Sequence, residues 1–212
     1  MKMIHMTCPG HPDATLEGYL LDCEVAFGQH TNRPAVIVCP GGGYVYCSPR
    51  EAEPVALAYA AKGFHAFILR YSTGWDAADF SPLQEVSWVI GYIREHAEEW
   101  HIDPNKIATC GFSAGGHLAG HYSNCFDCPE VRELFPDSKP VKASILCYPV
   151  ISADPAIRHS NSIFNVLGHD CPSDAALESV SLEKRVDENS VKTTNVQKFN
   201  VLVAFKNFMK NR

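Results

Sequence analysis

The sequence predicts an α/β fold, a sandwich in which a mostly parallel central sheet is covered by helices on both faces. Three features predict it. Short apolar runs rich in β-branched residues read as strands buried on both sides, amphipathic helical segments alternate with them, and glycine-rich turns stand where strands give way to helices.

Residues 18–26 have the mixed character of an early strand. Ala35, Val36, Ile37, Val38 and Cys39 form the first buried strand, which stops at Pro40-Gly41-Gly42-Gly43-Tyr44. Residues 50–62 are rich in Ala and Glu, with Val55, Ala58 and Tyr59 at helical spacing and Gly63 as the stop. Residues 64–71 are the next buried strand. After a loop through Trp75, Asp76 and Pro82 comes the clearest helix: Val86, Val89, Ile90, Ile93, Ala97 and Trp100 mark one face, leaving Glu85, Arg94, Glu95 and Glu98 for the polar side. Asp103-Pro104-Asn105 turns into a strand over residues 106–112, a helix of small residues begins at Ala114, and residues 141–150 read as a further buried strand.

A chain of 212 residues fits one domain with a sizeable core. With 46% hydrophobic and 20% charged residues, disorder, collagen-like repeats and coiled coil are disfavoured. No apolar run approaches the roughly 18 residues of a membrane span, and the first residues do not resemble a secretory signal. The default expectation is therefore a cytoplasmic protein with no membrane partner. A net charge of −6 also argues against a nucleic-acid partner, which would need a basic face. The nine cysteines are odd in number, and Cys39, Cys110 and Cys147 sit inside apolar runs, so they read as small core residues in a reducing compartment.

The strongest chemical signal is Gly111-Phe112-Ser113-Ala114-Gly115-Gly116, a G-x-S-x-G where a strand passes into a helix. In such an elbow the serine projects from a strained turn, the glycines let strand and helix approach, and the amide of Ala114 points at any oxyanion formed on Ser113. The bland alternative is a glycine turn that only tightens packing. An independent signal is Gly41-Gly42-Gly43, whose backbone N–H groups no side chain can shield and which suits the second half of an oxyanion hole. It lacks the Gly-Lys-Ser/Thr ending of a phosphate loop. Both signals fall at carboxyl ends of strands, where open α/β sheets bind ligands. Tyr44, Tyr46, Ser72, Trp75 and Asp76 are candidates to line an adjoining pocket.

Together with Arg50-Glu51-Ala52-Glu53-Pro54, Leu69-Arg70-Tyr71-Ser72 and Ile102-Asp103-Pro104, these segments resemble the α/β-hydrolase superfamily. More narrowly they resemble its small esterase and lipase branch that includes acetyl-xylan and feruloyl-type carbohydrate esterases. The resemblance runs from about Gly18 to about Val186. It implies hydrolysis of small ester substrates through a serine acyl-enzyme, with no metal or organic cofactor. By that similarity Ser113 is the nucleophile, and the amides of Ala114 and of Gly42 or Gly43 form the oxyanion hole. Pro40 stands where many lipases have histidine.

A serine nucleophile needs a base and a group to orient it, in the chain order Ser, Asp or Glu, His. Only His117, His121, His159 and His169 follow Ser113. His117 and His121 lie on the helix behind the elbow and read as packed residues; His159 and His169 read as lid residues over the site. The hydrolase domain is expected at residues 1–186, incomplete at its end. Residues 187–212 are an atypical, Lys- and Asn-rich tail with room for one strand, at residues 199–205. A truncated or frame-shifted end is the expectation, with a sheet edge left open to self-association. The alternative function is then an impaired hydrolase, since losing the base of a serine triad costs on the order of 10⁶ in kcat. A remote alternative is a metal-binding module using His117, His121, Cys125 and Cys128, one helical face with four zinc-type ligands.

Overall fold

The computed structural model describes residues 1–26 and 28–196. In chain order its strands are β1 (Lys2–Cys8), β2 (His11–Leu20), β3 (Glu24–Ala26), β4 (Gln29–His30), β5 (Arg33–Cys39), β6 (His65–Arg70), β7 (Ile102–Phe112), β8 (Ala143–Cys147) and β9 (Thr193–Val196). The helices are α1 (Glu53–Ala60), α2 (Ser81–Glu95), α3 (Ala114–Cys125), α4 (Pro129–Arg132), α5 (Ser160–Leu167) and α6 (Asp174–Ser179). Seven strands make one sheet in the order β1-β2-β6-β5-β7-β8-β9, and β3 pairs with β4 in a separate ribbon. The β1–β2 and β2–β6 pairings are antiparallel; every pairing from β6 across to β9 is parallel.

The apolar run of β5 shows why the strands need no polar face. Val36 and Val38 pack with Ile68, Cys110, Phe112 and, from α1, Ala56 and Tyr59 on one side of the sheet. Ile37 points the other way, into a core with Phe67 and Leu69 of β6, Val86, Val89, Ile90 and Ile93 of α2, and Leu118 and Tyr122 of α3. Alternate side chains thus enter two cores, so every position from Ala35 to Cys39 is buried.

The expected strand at residues 18–26 is in fact the end of β2, preceded by β1 and followed by the short β3. The N-terminal strands lie toward one edge and carry Met, His and Thr in place of a continuous apolar run, so their pattern is weak. Glu85 is not on the polar side of α2. It is fully buried, where it accepts the backbone N–H of Ser72 at 2.8 Å and the Ser72 hydroxyl, with His11 Nδ1 at 3.1 Å. Burial pushes its carboxyl pKa up. In the C-terminal stretch, β9 joins β8 in parallel; the strand expected at residues 199–205 lies outside the described residues.

At the β7–α3 junction the backbones are in direct contact. A Cβ on Gly111 would lie 2.0 Å from the carbonyl oxygen of Gly115, and one on Gly115 would lie 2.1 Å from that of Cys39. Both obstacles are backbone, so no rotamer change relieves them. Gly91, on the exposed side of α2, has nothing within 4 Å of its added Cβ. Gly115→Ala is expected to destabilise the fold by about 2 kcal/mol or more, and Gly91→Ala to be neutral or to stabilise by up to about 1 kcal/mol. Urea unfolding of the two variants checks this, and equal midpoints would contradict the contact.

Candidate active site

β7 ends at Phe112, α3 begins at Ala114, and Ser113 is the single residue between them. Its φ of 49° and ψ of −112° place a side-chain-bearing residue in a sparsely populated region of backbone space. The surrounding hydrogen bonds hold it there. The Ser113 N–H donates to the Cys147 carbonyl at 2.9 Å, and its own carbonyl accepts from the N–H groups of His117 at 2.9 Å and Val150 at 3.1 Å. Neighbouring strand, helix and loop therefore all fix the turn.

The glycine loop follows β5, the strand beside β7. Each of its carbonyls is occupied: Gly41 O accepts from Ser48 N, Gly42 O from Val45 N, and Gly43 O from Asn165 Nδ2 of α5. The Gly41 N–H donates to Glu51 Oε2 at 2.9 Å. Among the described residues the N–H groups of Gly42, Gly43 and Ala114 have no hydrogen-bond acceptor. Gly42 and Gly43 have φ values of 137° and 66°, and a Cβ on Gly42 would fall 1.9 Å from the Tyr46 carbonyl oxygen. A side chain there would close the loop.

Beside Ser113 lies a cleft of about 460 Å³ lined by Tyr148, Ser152, Ile157, His159 and Glu183 among others. Ser152 Oγ donates to Glu183 Oε1 at 2.5 Å. His159 caps α5, with Nδ1 2.8 Å from Ser162 Oγ. His159 lines the cleft beside Ser113. His169 is elsewhere, in a separate cavity with Tyr44 and His121.

His117 is fully buried. Its Nε2 donates to the Val180 carbonyl at 2.8 Å, which leaves Nδ1 to accept from the Tyr44 hydroxyl at 2.8 Å. Both ring nitrogens are therefore committed, and no lone pair remains for a metal. Cys125 Sγ meets a cation of the protein itself, Arg185 Nε at 3.1 Å. The zinc face suggested by the spacing of His117, His121, Cys125 and Cys128 is thus not assembled, and the described residues hold no group of three or more His, Cys, Asp or Glu placed to bind a metal ion.

Of the candidate pocket residues, Tyr44 and Ser72 are buried in hydrogen bonds, and Trp75 is 78% exposed. No candidate role falls on Ser152 or Glu183 from the sequence alone. Glu51 stood within the Arg50–Pro54 motif, yet its service to the glycine loop depends on a 3₁₀ turn at Pro49–Glu51 that brings it back.

The BD-FAE family model matches residues 21–127, half of the chain, a span that includes both the glycine loop and the serine elbow. The chain belongs to the BD-FAE family. Endo-1,4-beta-xylanase B of Butyrivibrio fibrisolvens is 34% identical over a match covering 74% of this chain and 25% of that protein. An acetylxylan esterase of Xylanibacter ruminicola is 34% identical, covering 68% and 28% respectively. The chain thus spans about a quarter of the length of these relatives. Among solved structures, an alpha/beta hydrolase enzyme from a Medee basin deep-sea metagenome library is 31% identical with a TM-score of 0.71, covering 99% of this chain and 77% of that one. The fold of this BD-FAE chain is the α/β-hydrolase fold. Among the described residues no helix is long and apolar enough to cross a membrane.

Burial holds the His117 imidazole down at about 3, with the neighbouring His121 adding to the effect. An unfolded histidine titrates near 6.5, so the unfolded chain takes up this proton first. The stability that neutral His117 contributes is present in full above pH 6.5 and is lost as pH falls from there toward 3. The loss approaches about 1.4 kcal/mol per pH unit. His117→Gln is expected to flatten the fall in unfolding free energy between pH 7 and 5 by about one proton. Identical slopes in urea titrations of variant and wild type would refute this.

Proposed function

We propose that this chain is a carboxylic ester hydrolase that forms an acyl-enzyme on Ser113, with small acyl esters and acetylated carbohydrate as its substrate class. The observation that carries the reading is the strained Ser113 elbow, with the free N–H of Ala114 beside it and those of Gly42 and Gly43 on the loop after the neighbouring strand. In this mechanism Ser113 Oγ attacks the ester carbonyl carbon, and the carbonyl oxygen takes up negative charge. The Ala114 amide, at the N-terminal end of the twelve-residue α3, and the Gly42 and Gly43 amides of the loop stabilise that charge. The C–O bond then breaks, the alcohol leaves with a proton, and water releases the acid from the serine. The carbohydrate preference is supported by the acetylxylan esterase similarity and by the mixed cleft, where Ser152, His159 and Glu183 offer polar groups beside Ile157.

The hydroxyl proton of Ser113 needs an acceptor, and among the described residues no imidazole or carboxylate is hydrogen-bonded to Ser113 Oγ. That favours a second reading, a hydrolase-fold protein that binds esters but turns them over poorly. A fluorophosphonate probe and p-nitrophenyl acetate hydrolysis separate the two. The first reading expects probe labelling that Ser113→Ala abolishes and a hydrolysis rate at least about 10²-fold above that variant. The second expects little labelling and a rate near that of Ser113→Ala. Release of acetate from acetylated xylan oligomers by the wild type alone would support the carbohydrate assignment; hydrolysis confined to the p-nitrophenyl ester would remove it.

A further inference from the structure

Glu51 lies outside the elbow and the glycine loop, yet it is bonded to the segments on either side of Ser113. Its Oε2 accepts the Gly41 N–H at 2.9 Å, and its Oε1 accepts the Tyr148 hydroxyl at 2.6 Å. Gly41 follows β5, Tyr148 follows β8, and β7, which ends at Ser113, runs between those two strands. One carboxylate therefore spans the carboxyl ends of three adjacent strands, across the central one that carries the serine.

The fit around it is close. A Cβ on Gly41 would lie 2.7 Å from Glu51 Oε2, 2.8 Å from the Phe112 carbonyl oxygen and 3.1 Å from Ser113 Cβ. The backbone of the glycine loop thus rests directly on the serine, and the Glu51 bond fixes how far along it rests. Tyr148 is itself in the positive-φ region at 38°, lines the cleft beside Ser113, and has its ring 5.9 Å from that of Phe112. Because Glu51 occupies the Gly41 N–H, the loop's remaining free donors are Gly42 and Gly43. A carboxylate that accepts from two donors at once is held by charge-assisted bonds, the stronger kind.

We propose that Glu51 is a positioning residue: by bonding Gly41 N–H and Tyr148 O–H it sets the register between the glycine loop and Ser113 and directs the Gly42 and Gly43 amides to the oxyanion. The inference rests on the serine-esterase reading for its catalytic consequence, while the positioning itself stands on geometry. Misplacing a catalytic group by about 1 Å costs on the order of 10² in rate, so the effect belongs in kcat and not in KM.

The test uses wild type, Glu51→Ala, Glu51→Gln and Tyr148→Phe, with Ser113→Ala as the blank. In Glu51→Ala the rate constant for fluorophosphonate labelling of Ser113 is expected to fall by about 10². For p-nitrophenyl acetate, kcat is expected to fall alike and KM to stay within about threefold. Glu51→Gln, which keeps one acceptor oxygen, falls between Glu51→Ala and wild type, and Tyr148→Phe, which leaves the Gly41 bond in place, loses least. The ¹H–¹⁵N resonance of Gly41 moves upfield in proton shift in Glu51→Ala and holds in Tyr148→Phe. Labelling of Glu51→Ala at the wild-type rate, or an unmoved Gly41 amide, would overturn the proposal. Failure of wild type to label above Ser113→Ala would instead remove the serine-esterase reading, and the Gly41 amide shift would still decide the positioning. If Glu51→Ala does not fold, Glu51→Gln carries the same comparison.

Discussion

The contact between the end of β7 and the first turn of α3 is made backbone to backbone, through Gly111 and Gly115, and the rest of the site depends on it. Any side chain at either position would collide with a carbonyl oxygen at about two thirds of the 3.0 Å below which real Cβ contacts essentially never fall. With strand and helix that close, the one residue between them has no room for an ordinary turn, and Ser113 takes a φ of 49°. Strain of this kind costs of order 1–3 kcal/mol and persists only where neighbours over-determine it. Three backbone hydrogen bonds from β8, α3 and the following loop do so here. The same geometry leaves the Ala114 amide free beside the serine hydroxyl.

Behind the elbow, the Tyr44 hydroxyl and both ring nitrogens of His117 are hydrogen-bonded, which is how a buried polar pair offsets its desolvation cost. Tyr44, His117 and the Val180 carbonyl form a continuous hydrogen-bonded chain linking the glycine loop, α3 and the segment after α6. A charged imidazole there would need a counter-ion that the described residues do not place beside it, and burial keeps His117 uncharged. Glu85 does comparable work for the loop after β6 by accepting twice from Ser72. The face that carries Ser113 is thus backed by side chains that hold loops in place, His117 as an uncharged imidazole and Glu85 as a carboxyl whose pKa burial raises.

Much of this was legible in the sequence because the relevant signals are local. A β-branched run such as residues 35–39 can be buried only between two helical layers, and a serine between Gly111 and Gly115 at a strand-to-helix change declares its turn. The packing of His117 was also readable, since its place on α3 directs it inward. What was not legible depended on tertiary partners. Glu85 looked like surface because its spacing puts it beside the apolar stripe, and only the return of Ser72 and His11 makes burial tolerable. The zinc-type spacing of His117, His121, Cys125 and Cys128 gave four ligands on one helix but not their partners, and Tyr44, Val180 and Arg185 claim two of them first. Glu51 sits in the Arg50–Pro54 motif, but its two acceptor bonds have no local sign, because they reach 10 and 97 residues along the chain.

The division between the buried frame and the open cleft also separates the kinds of change the site can absorb. Residues that set geometry, Gly111, Gly115 and His117, have backbone or committed side-chain partners on every side, so substitution there acts through the fold. Ser152, Ile157, His159 and Glu183 line a cleft of about 460 Å³ and belong to the segments after β8, away from the two cores. Changes among them alter what can be held next to Ser113 while leaving the elbow intact, because no backbone bond of Ser113 comes from these four residues. Loops carried on a rigid scaffold are where binding specificity varies most freely, and here the scaffold ends at Val150, whose N–H still bonds the Ser113 carbonyl. On the serine-esterase reading, the residues beyond Val150 are the ones that shape what the cleft holds, and the hydrogen bonds up to Val150 are the ones that position Ser113.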